Sequence, residues 1–317
     1  MVYLLLVLGF VLLIKGADFF VEGSSFVAKK LHVPSIIIGL TIVAMGTSLP
    51  ECAVSITASM TNNNELAVSN VFGSNIFNLV VVCGASALFV PLAVQVNTLK
   101  KELPFSILMG VLLLLLGYFG MEVSRVDGLI LLALFLGFFL WMIRSALKAK
   151  ADGSNLEGKE GTDEDSVKDL SGSRCFLSIV GGMIAIKVGG DFVVDSASEI
   201  AADFGLSQNL IGLTIVAMGT SLPELVTSVV AARKKEVDMA IGNVIGSNIF
   251  NILLVIGISA AISPITFVME NVMDAVILTV MSIAVMGFAW SKHKIERKEG
   301  LIMLLAYAGY MVYICMR

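Results

Sequence analysis

Residues 39–51 read Gly39-Leu40-Thr41-Ile42-Val43-Ala44-Met45-Gly46-Thr47-Ser48-Leu49-Pro50-Glu51, and the same thirteen letters return unchanged from Gly212 to Glu224. Each copy sets one carboxylate, Glu51 or Glu224, inside a long apolar run. A charged group at membrane depth costs roughly 2.5–3.5 kcal/mol or more, so a carboxylate placed there marks a functional site by default. The rest of the chain reads as the frame that holds these two carboxylates.

The frame is a membrane helix bundle. Of 317 residues, 57% are hydrophobic and 15% charged, whereas about a quarter of a soluble domain is charged. The expectation is an all-α polytopic membrane protein. About 20 apolar residues cross a bilayer as helix. On that measure ten spans are expected, near 2–22, 34–59, 66–92, 103–121, 126–145, 175–197, 208–232, 237–264, 271–290 and 299–316. The N-terminal run has no basic stretch ahead of it and reads as the first span, not as a cleaved leader. The segment 148–173 is polar and carries the acidic run Asp163-Glu164-Asp165. It cannot bury enough apolar surface to order itself. It is expected to link a first five-helix repeat, 1–147, to a second, 174–317.

Loop charges orient the spans. With the N-terminus outside, the inner connections hold Lys29, Lys30, Lys100, Lys101, the six bases from Arg144 to Arg174, Arg233, Lys234, Lys235, Lys292, Lys294, Arg297 and Lys298. That is 17 of the 21 Lys and Arg, while only Arg125 and Arg317 fall outside. Basic residues gather on the cytoplasmic side, so both termini are expected outside and 148–173 in the cytoplasm, in a multi-pass protein of the cell membrane.

The repeat runs deeper than one motif. Gly73-Ser74-Asn75-Ile76-Phe77-Asn78 recurs as Gly246-Ser247-Asn248-Ile249-Phe250-Asn251, again 173 residues on, and Asp18 and Asp191 share that offset. Five spans per half is an odd number, so the second half enters the bilayer upside down. The loops agree. Lys29 and Lys30 precede the first motif where Asp203 precedes the second, and Glu65 follows the first where Arg233, Lys234 and Lys235 follow the second. Inverted repeats that share a midplane site are a transporter architecture.

Locally, the motif is a helix break followed by a helix start. Gly46 relaxes the backbone, Thr47 or Ser48 can cap the next half-helix, and Pro50 suits its first turn. Ser48-x-x-Glu51 matches a capping box, so Glu51 could serve only as a cap. A bare carboxylate repeated in an inverted partner favours ion binding, and the two roles can coexist. A break frees carbonyls, tolerated at depth only where they are buried or line a cavity. Those of Ala44, Met45 and Thr47, with Ala217, Met218 and Thr220, are candidate oxygen ligands. So are the hydroxyls of Thr47, Ser48, Thr220 and Ser221. Ser74 and Asn78 lie four apart on one helical face, as do Ser247 and Asn251. Asn75 and Asn248 point elsewhere and are expected to satisfy freed backbone. An all-oxygen set suits a hard cation such as Ca²⁺ or Na⁺. Lys15 with Asp18 and Lys187 with Asp191 are expected to pair within their helices. The four cysteines are scattered and suggest neither disulfides nor zinc. No resident cofactor, nucleic acid or obligate protein partner is expected; the partners are Ca²⁺, Na⁺ and the bilayer.

These paired motifs resemble the α-repeats of the Ca²⁺/cation antiporter superfamily, in particular prokaryotic sodium/calcium exchangers. The resemblance implies a ten-helix fold of two inverted repeats around four clustered cation sites. It implies that Glu51 and Glu224 ligate calcium and also serve sodium, with the Thr47 and Thr220 carbonyls completing the calcium site. Ala44, Ala217, Ser48, Ser221, Ser74 and Ser247 would build flanking sodium sites, and Asn78 and Asn251 would face the middle one. Some relatives, potassium-dependent exchangers among them, carry Asp where this chain has Asn251. That departure argues against potassium co-transport and removes a titratable group. The expected function is therefore a secondary-active antiporter, not an enzyme, exchanging Na⁺ for Ca²⁺ by alternating access and exporting Ca²⁺. The alternative is H⁺/Ca²⁺ exchange with protons on Glu51 and Glu224. A cation channel does not need an inverted repeat, and a receptor would need a soluble domain.

Overall fold

The computed structural model describes residues 1–61, 64–151, 171–206 and 212–316. Most of the expected linker lies outside these residues. Apolar runs in lipid must pair every backbone group internally, which leaves helices as the solution. In the first half these are α1 (Val2–Leu31), α2 (Ser35–Thr47), α3 (Leu49–Met60), α4 (Asn64–Phe89), α5 (Leu103–Tyr118) and α6 (Arg125–Ala151). The second half begins with α7 (Gly172–Asp203). A π-helical stretch, Gly212–Val216, then leads into α8 (Ala217–Gly219), followed by α9 (Leu222–Arg233), α10 (Val237–Ile262), α11 (Met269–Lys292) and α12 (Arg297–Met316).

Among the described residues, seven helices are long and apolar enough to cross a bilayer, and α2 with α3 makes an eighth as a pair bent by 50°. The shorter α5 stands where the fourth span is expected. The seventh expected span holds α8 and α9, and its first residues fall outside the described set. The surface is apolar and the interior carries the polar groups. Leu4, Phe10 and Ile14 on α1 and Leu301, Ile302 and Leu305 on α12 are exposed, while Glu51, Glu224, Asn75, Asn78 and Asn251 are buried. That is the distribution expected when lipid is the solvent. The chain is a multi-pass, all-helical membrane protein.

Two glycine contacts set how closely the halves meet. On α1 against α7, a Cβ at Gly16 would stand 2.8 Å from Ile186 N, and one at Gly182 would stand 2.8 Å from Gly16 O. The spacing repeats one level along, where a Cβ at Gly189 would meet Gly9 O at 2.7 Å. On α2 against α10, a Cβ at Gly242 would meet Ile36 O at 2.6 Å. Small residues let membrane helices approach backbone to backbone, where dispersion replaces the missing hydrophobic drive.

Four two-residue strands were not expected. β1 (Leu92–Ala93) pairs antiparallel with β4 (Lys294–Ile295), and β2 (Glu122–Val123) with β3 (Ile265–Thr266). Leu92 and Ile265 are 173 apart, as are Glu122 and Ile295, so each bridge joins one half to the other. Two residues are too short for an alternating pattern to register.

The expected intrahelical pairs form. Lys15 reaches Asp18 at 3.9 Å and Lys187 pairs with Asp191. Lys234, from the turn after α9, also contacts Asp18, at 3.4 Å. That cross-half contact has no sequence spacing to announce it.

Candidate functional site

The break in each motif comes from Pro50 and Pro223. A proline inside a helix lacks the N–H for the preceding turn, and its ring crowds the carbonyl four residues back. The chain yields two residues earlier, at Ser48 with φ −85°, ψ 9° and at Ser221 with φ −95°, ψ 6°. Helix then restarts with Glu51 and Glu224 in the first turn of α3 and α9. A helix N-terminus carries partial positive charge and stabilises an anion there. Upstream lie π-helical stretches at matched places, Gly39–Val43 and Gly212–Val216. Others begin at Phe77 and Asn251. Such wide turns recur at functional sites.

The expected capping box does not form. Ser48 makes no side-chain cap to α3. Its Oγ donates instead to Glu224 Oε1 at 2.8 Å, and Ser221 Oγ donates to Glu51 Oε1 at 2.9 Å. A hydrogen bond to an ionised acceptor is roughly twice as strong as a neutral one, so the rotamer that points Oγ at the carboxylate of the opposite half is preferred over the one that would turn it back to accept an N–H of its own helix. Each carboxylate is thus held by the other half's motif. Both glutamates have no exposed surface. Ser247 Oγ reaches Glu224 Oε1 at 3.5 Å.

The remaining oxygens define what the site can do. Glu51 Oε2, Glu224 Oε2, Ser74 Oγ, Thr220 Oγ1, Asn78 Oδ1 and Asn251 Oδ1 are buried and have no hydrogen-bond partner among the described residues. A buried polar atom left unpaired costs about 1–3 kcal/mol, and more if charged. Two of the six are the glutamates' own and four are neutral, and an all-oxygen set of that kind has the chemistry a hard cation takes. Among the described residues no cluster of three or more His, Cys, Asp and Glu that could hold a metal ion occurs.

Other candidates divide. Thr47 Oγ1 lies 3.1 Å from Val43 O and 3.0 Å from Asn243 Oδ1. The Ala44 carbonyl is not freed by the break, because it accepts the Ser48 N–H at 3.0 Å. In the second motif the Ser221 N–H goes to Met218 O at 3.2 Å, a tighter turn that passes over Ala217. A carbonyl keeps a second lone pair in either case. Gly46 lies within α2, and its lack of a Cβ serves packing: a Cβ there would meet Phe20 Cζ and Met183 Sδ at 2.8 Å. Asn75 and Asn248 do satisfy backbone, but each serves the other half. Asn75 Nδ2 donates to Asn248 O and Asn248 Nδ2 to Asn75 O, both at 3.2 Å. Asn251 Nδ2 donates to Asn75 Oδ1 at 3.0 Å, and its own oxygen is buried without a partner among the described residues.

Four residues escaped the sequence reading. Asn70 Nδ2 donates to Ser55 Oγ at 3.0 Å and Glu51 O at 3.4 Å; Asn243 Nδ2 donates to Ser228 Oγ at 2.9 Å and Glu224 O at 3.5 Å. Each asparagine ties the glutamate's helix to the following one. The signal was present, because both pairs are separated by 173 residues, but isolated matches outside a contiguous block did not stand out.

The family model described as sodium/calcium exchanger protein matches residues 1–144 and 175–316. The sodium/calcium exchanger MaX1 of Methanosarcina acetivorans is 32% identical over 349 residues, covering 98% of each chain. The inner membrane protein YrbG of Escherichia coli is 39% identical over 260 residues, covering 82% of this chain and 79% of its own. Among solved structures, the sodium-calcium exchanger NCX_Mj superposes with a TM-score of 0.83 at 31% identity, covering 98% of both chains. With nearly the whole of both halves matched, the chain belongs to the sodium/calcium exchanger protein family.

Proposed function

We propose that this chain exchanges Na⁺ for Ca²⁺ across the cell membrane by alternating access, with calcium export as its normal direction. Its ten spans form two inverted five-helix repeats, with both termini outside and 148–173 cytoplasmic. The carrying observation is the reciprocal pair: two buried carboxylates, each hydrogen-bonded by the opposite half, each with one oxygen unpaired. Relatives named as sodium/calcium exchangers support the same reading.

The chemistry follows from charge. Glu51 and Glu224 carry two negative charges, which one Ca²⁺ neutralises. Sodium ions need neutral oxygens as well as charge, and Ser48, Ser74, Ser221, Ser247, Asn78 and Asn251 supply side-chain oxygens, with Thr47, Thr220, Ala44 and Ala217 offering carbonyls. The site reorients when its charge is compensated by either cation and resists doing so bare, because an uncompensated charge at the bilayer centre costs about 2.5–3.5 kcal/mol or more. Two Na⁺ against one Ca²⁺ would move no net charge, and exchange is electrogenic when more than two Na⁺ are exchanged, which the neutral oxygens beside the carboxylates give room for.

Calorimetric titration of the purified protein tests this reading. Calcium affinity should fall steeply as sodium rises, with a Hill coefficient for sodium above one. Calcium binding that is indifferent to sodium contradicts it. In the same assay Ser48→Ala and Ser221→Ala should each weaken calcium binding about threefold to tenfold, in line with one charge-assisted hydrogen bond. Ser221→Ala should have the larger effect, because Glu224 keeps a second hydroxyl, Ser247 Oγ at 3.5 Å, whereas Ser74 Oγ makes no matching bond to Glu51.

A further inference from the structure

The two halves of the site are in different conditions. Asn70 and Asn243 make the same bonds within their own halves. Only Asn243 does more: its Oδ1 accepts the Thr47 hydroxyl at 3.0 Å, a bond from α10 to the kink of the first half. The mirror bond would join Thr220 Oγ1 to Asn70, yet Asn70 Nδ2 goes to Ser55 Oγ and Glu51 O, and no bond from Thr220 to Asn70 forms among the described residues. The surroundings differ in the same sense. Asn243, Gly242 and Gly246 are buried, and a Cβ at Gly246 would stand 2.7 Å from Ala44 Cβ. Their equivalents Asn70 and Gly73 are half-buried and Ser69 is exposed.

We propose that Asn243 and Asn70 are alternating clasps that position the two halves of the exchanger. Asn243–Thr47 is shut in the state described here, and Asn70–Thr220 shuts when the site faces the other side. The proposal rests on the alternating-access reading and names residues that distinguish its end states. Asn243 lies six residues into α10 and Asn70 six residues into α4, about 9 Å from the respective helix start. In the orientation above, those starts are cytoplasmic and external, so a shut Asn243 clasp closes the cytoplasmic side.

One buried hydrogen bond biases a two-state equilibrium about threefold to tenfold. The test uses the reconstituted full chain with its native cysteines replaced by serine and spin labels at Leu66→Cys and Phe204→Cys, two exposed positions at the expected external end. Pulsed electron resonance reads the ratio of long to short separations, open to closed. Asn243→Ala should lower that ratio about threefold to tenfold, and Asn70→Ala should raise it. The bonds that each asparagine makes within its own half are alike, so their loss cancels between the two variants. The proposal is overturned if both variants move the ratio the same way, if Asn243→Ala leaves it unchanged, or if one separation alone occurs in every variant. These distances do not depend on which ion is carried, so failure of sodium–calcium exchange itself would be a separate result.

Discussion

Glu51→Gln and Glu224→Gln should each lower sodium-driven calcium flux at least about a hundredfold while leaving the fold intact. Glutamine keeps the shape and an oxygen acceptor for the Ser221 or Ser48 hydroxyl, so only the charge is lost. A carboxylate that costs about 2.5–3.5 kcal/mol at the bilayer centre is retained only if cation binding returns at least that much. At 1.4 kcal/mol per tenfold, its loss weakens binding by about two orders of magnitude or more. The fold should not suffer. Both groups are fully buried, and a buried charge without its cation costs free energy, so without cations the glutamine variants should melt no lower than the natural protein. They should also lose the stabilisation that calcium confers on the natural protein by mass action. Melting curves with and without calcium therefore separate a lost site from a lost fold. A variant that transports normally, or one that melts early in both conditions, refutes this assignment of the charges.

The second large effect lies on the α1–α7 seam. Gly16→Val and Gly182→Val should each lower the melting temperature in detergent on the order of 5–10 °C and abolish exchange. The first atom beyond Cα is already too close. At Gly16 it would stand 2.8 Å from Ile186 N and 2.9 Å from Gly182 O; at Gly182 it would stand 2.8 Å from Gly16 O and from Phe20 N. These neighbours are backbone, which no rotamer change can move aside. Overpacking of this kind costs about 1–3 kcal/mol and sometimes more, and each kcal/mol moves the melting point by about 2–4 °C in a chain of this order of size. Gly137→Ala is the contrast. Nothing among the described residues lies within 4 Å of a Cβ there, and alanine favours helix over glycine by about 1 kcal/mol, so that change should be neutral or slightly stabilising. Equal melting points for the two kinds of variant would show that the α1–α7 seam is not tight.

Much of this was legible in the sequence because it was written twice. The 173-residue offset tied Glu51 to Glu224 and Asn78 to Asn251 before any coordinates, and a carboxylate inside an apolar run is conspicuous by cost alone. What escaped depended on partners distant in sequence. Ser48 looked like the local cap of α3, but its hydroxyl crosses to Glu224, and no pattern within one helix reports an acceptor 176 residues away. Gly46 looked like a hinge, whereas Pro50 makes the break and Gly46 admits Phe20 and Met183. Asn70 and Asn243 shared the offset but lay outside the matching blocks. The difference in their bonding concerns one state of the molecule, and a sequence repeat carries only what the halves have in common.

Calcium-45 uptake into sodium-loaded proteoliposomes tests the central claim most directly. Four conditions are needed: an outward sodium gradient with the pH equal on both sides, a pH gradient with sodium equal, both gradients, and neither. Exchange of Na⁺ for Ca²⁺ predicts uptake in the first and third conditions, none in the second and fourth, and loss of uptake with Glu51→Gln. Uptake that follows the pH gradient and ignores sodium would contradict the account and assign Glu51 and Glu224 to proton exchange.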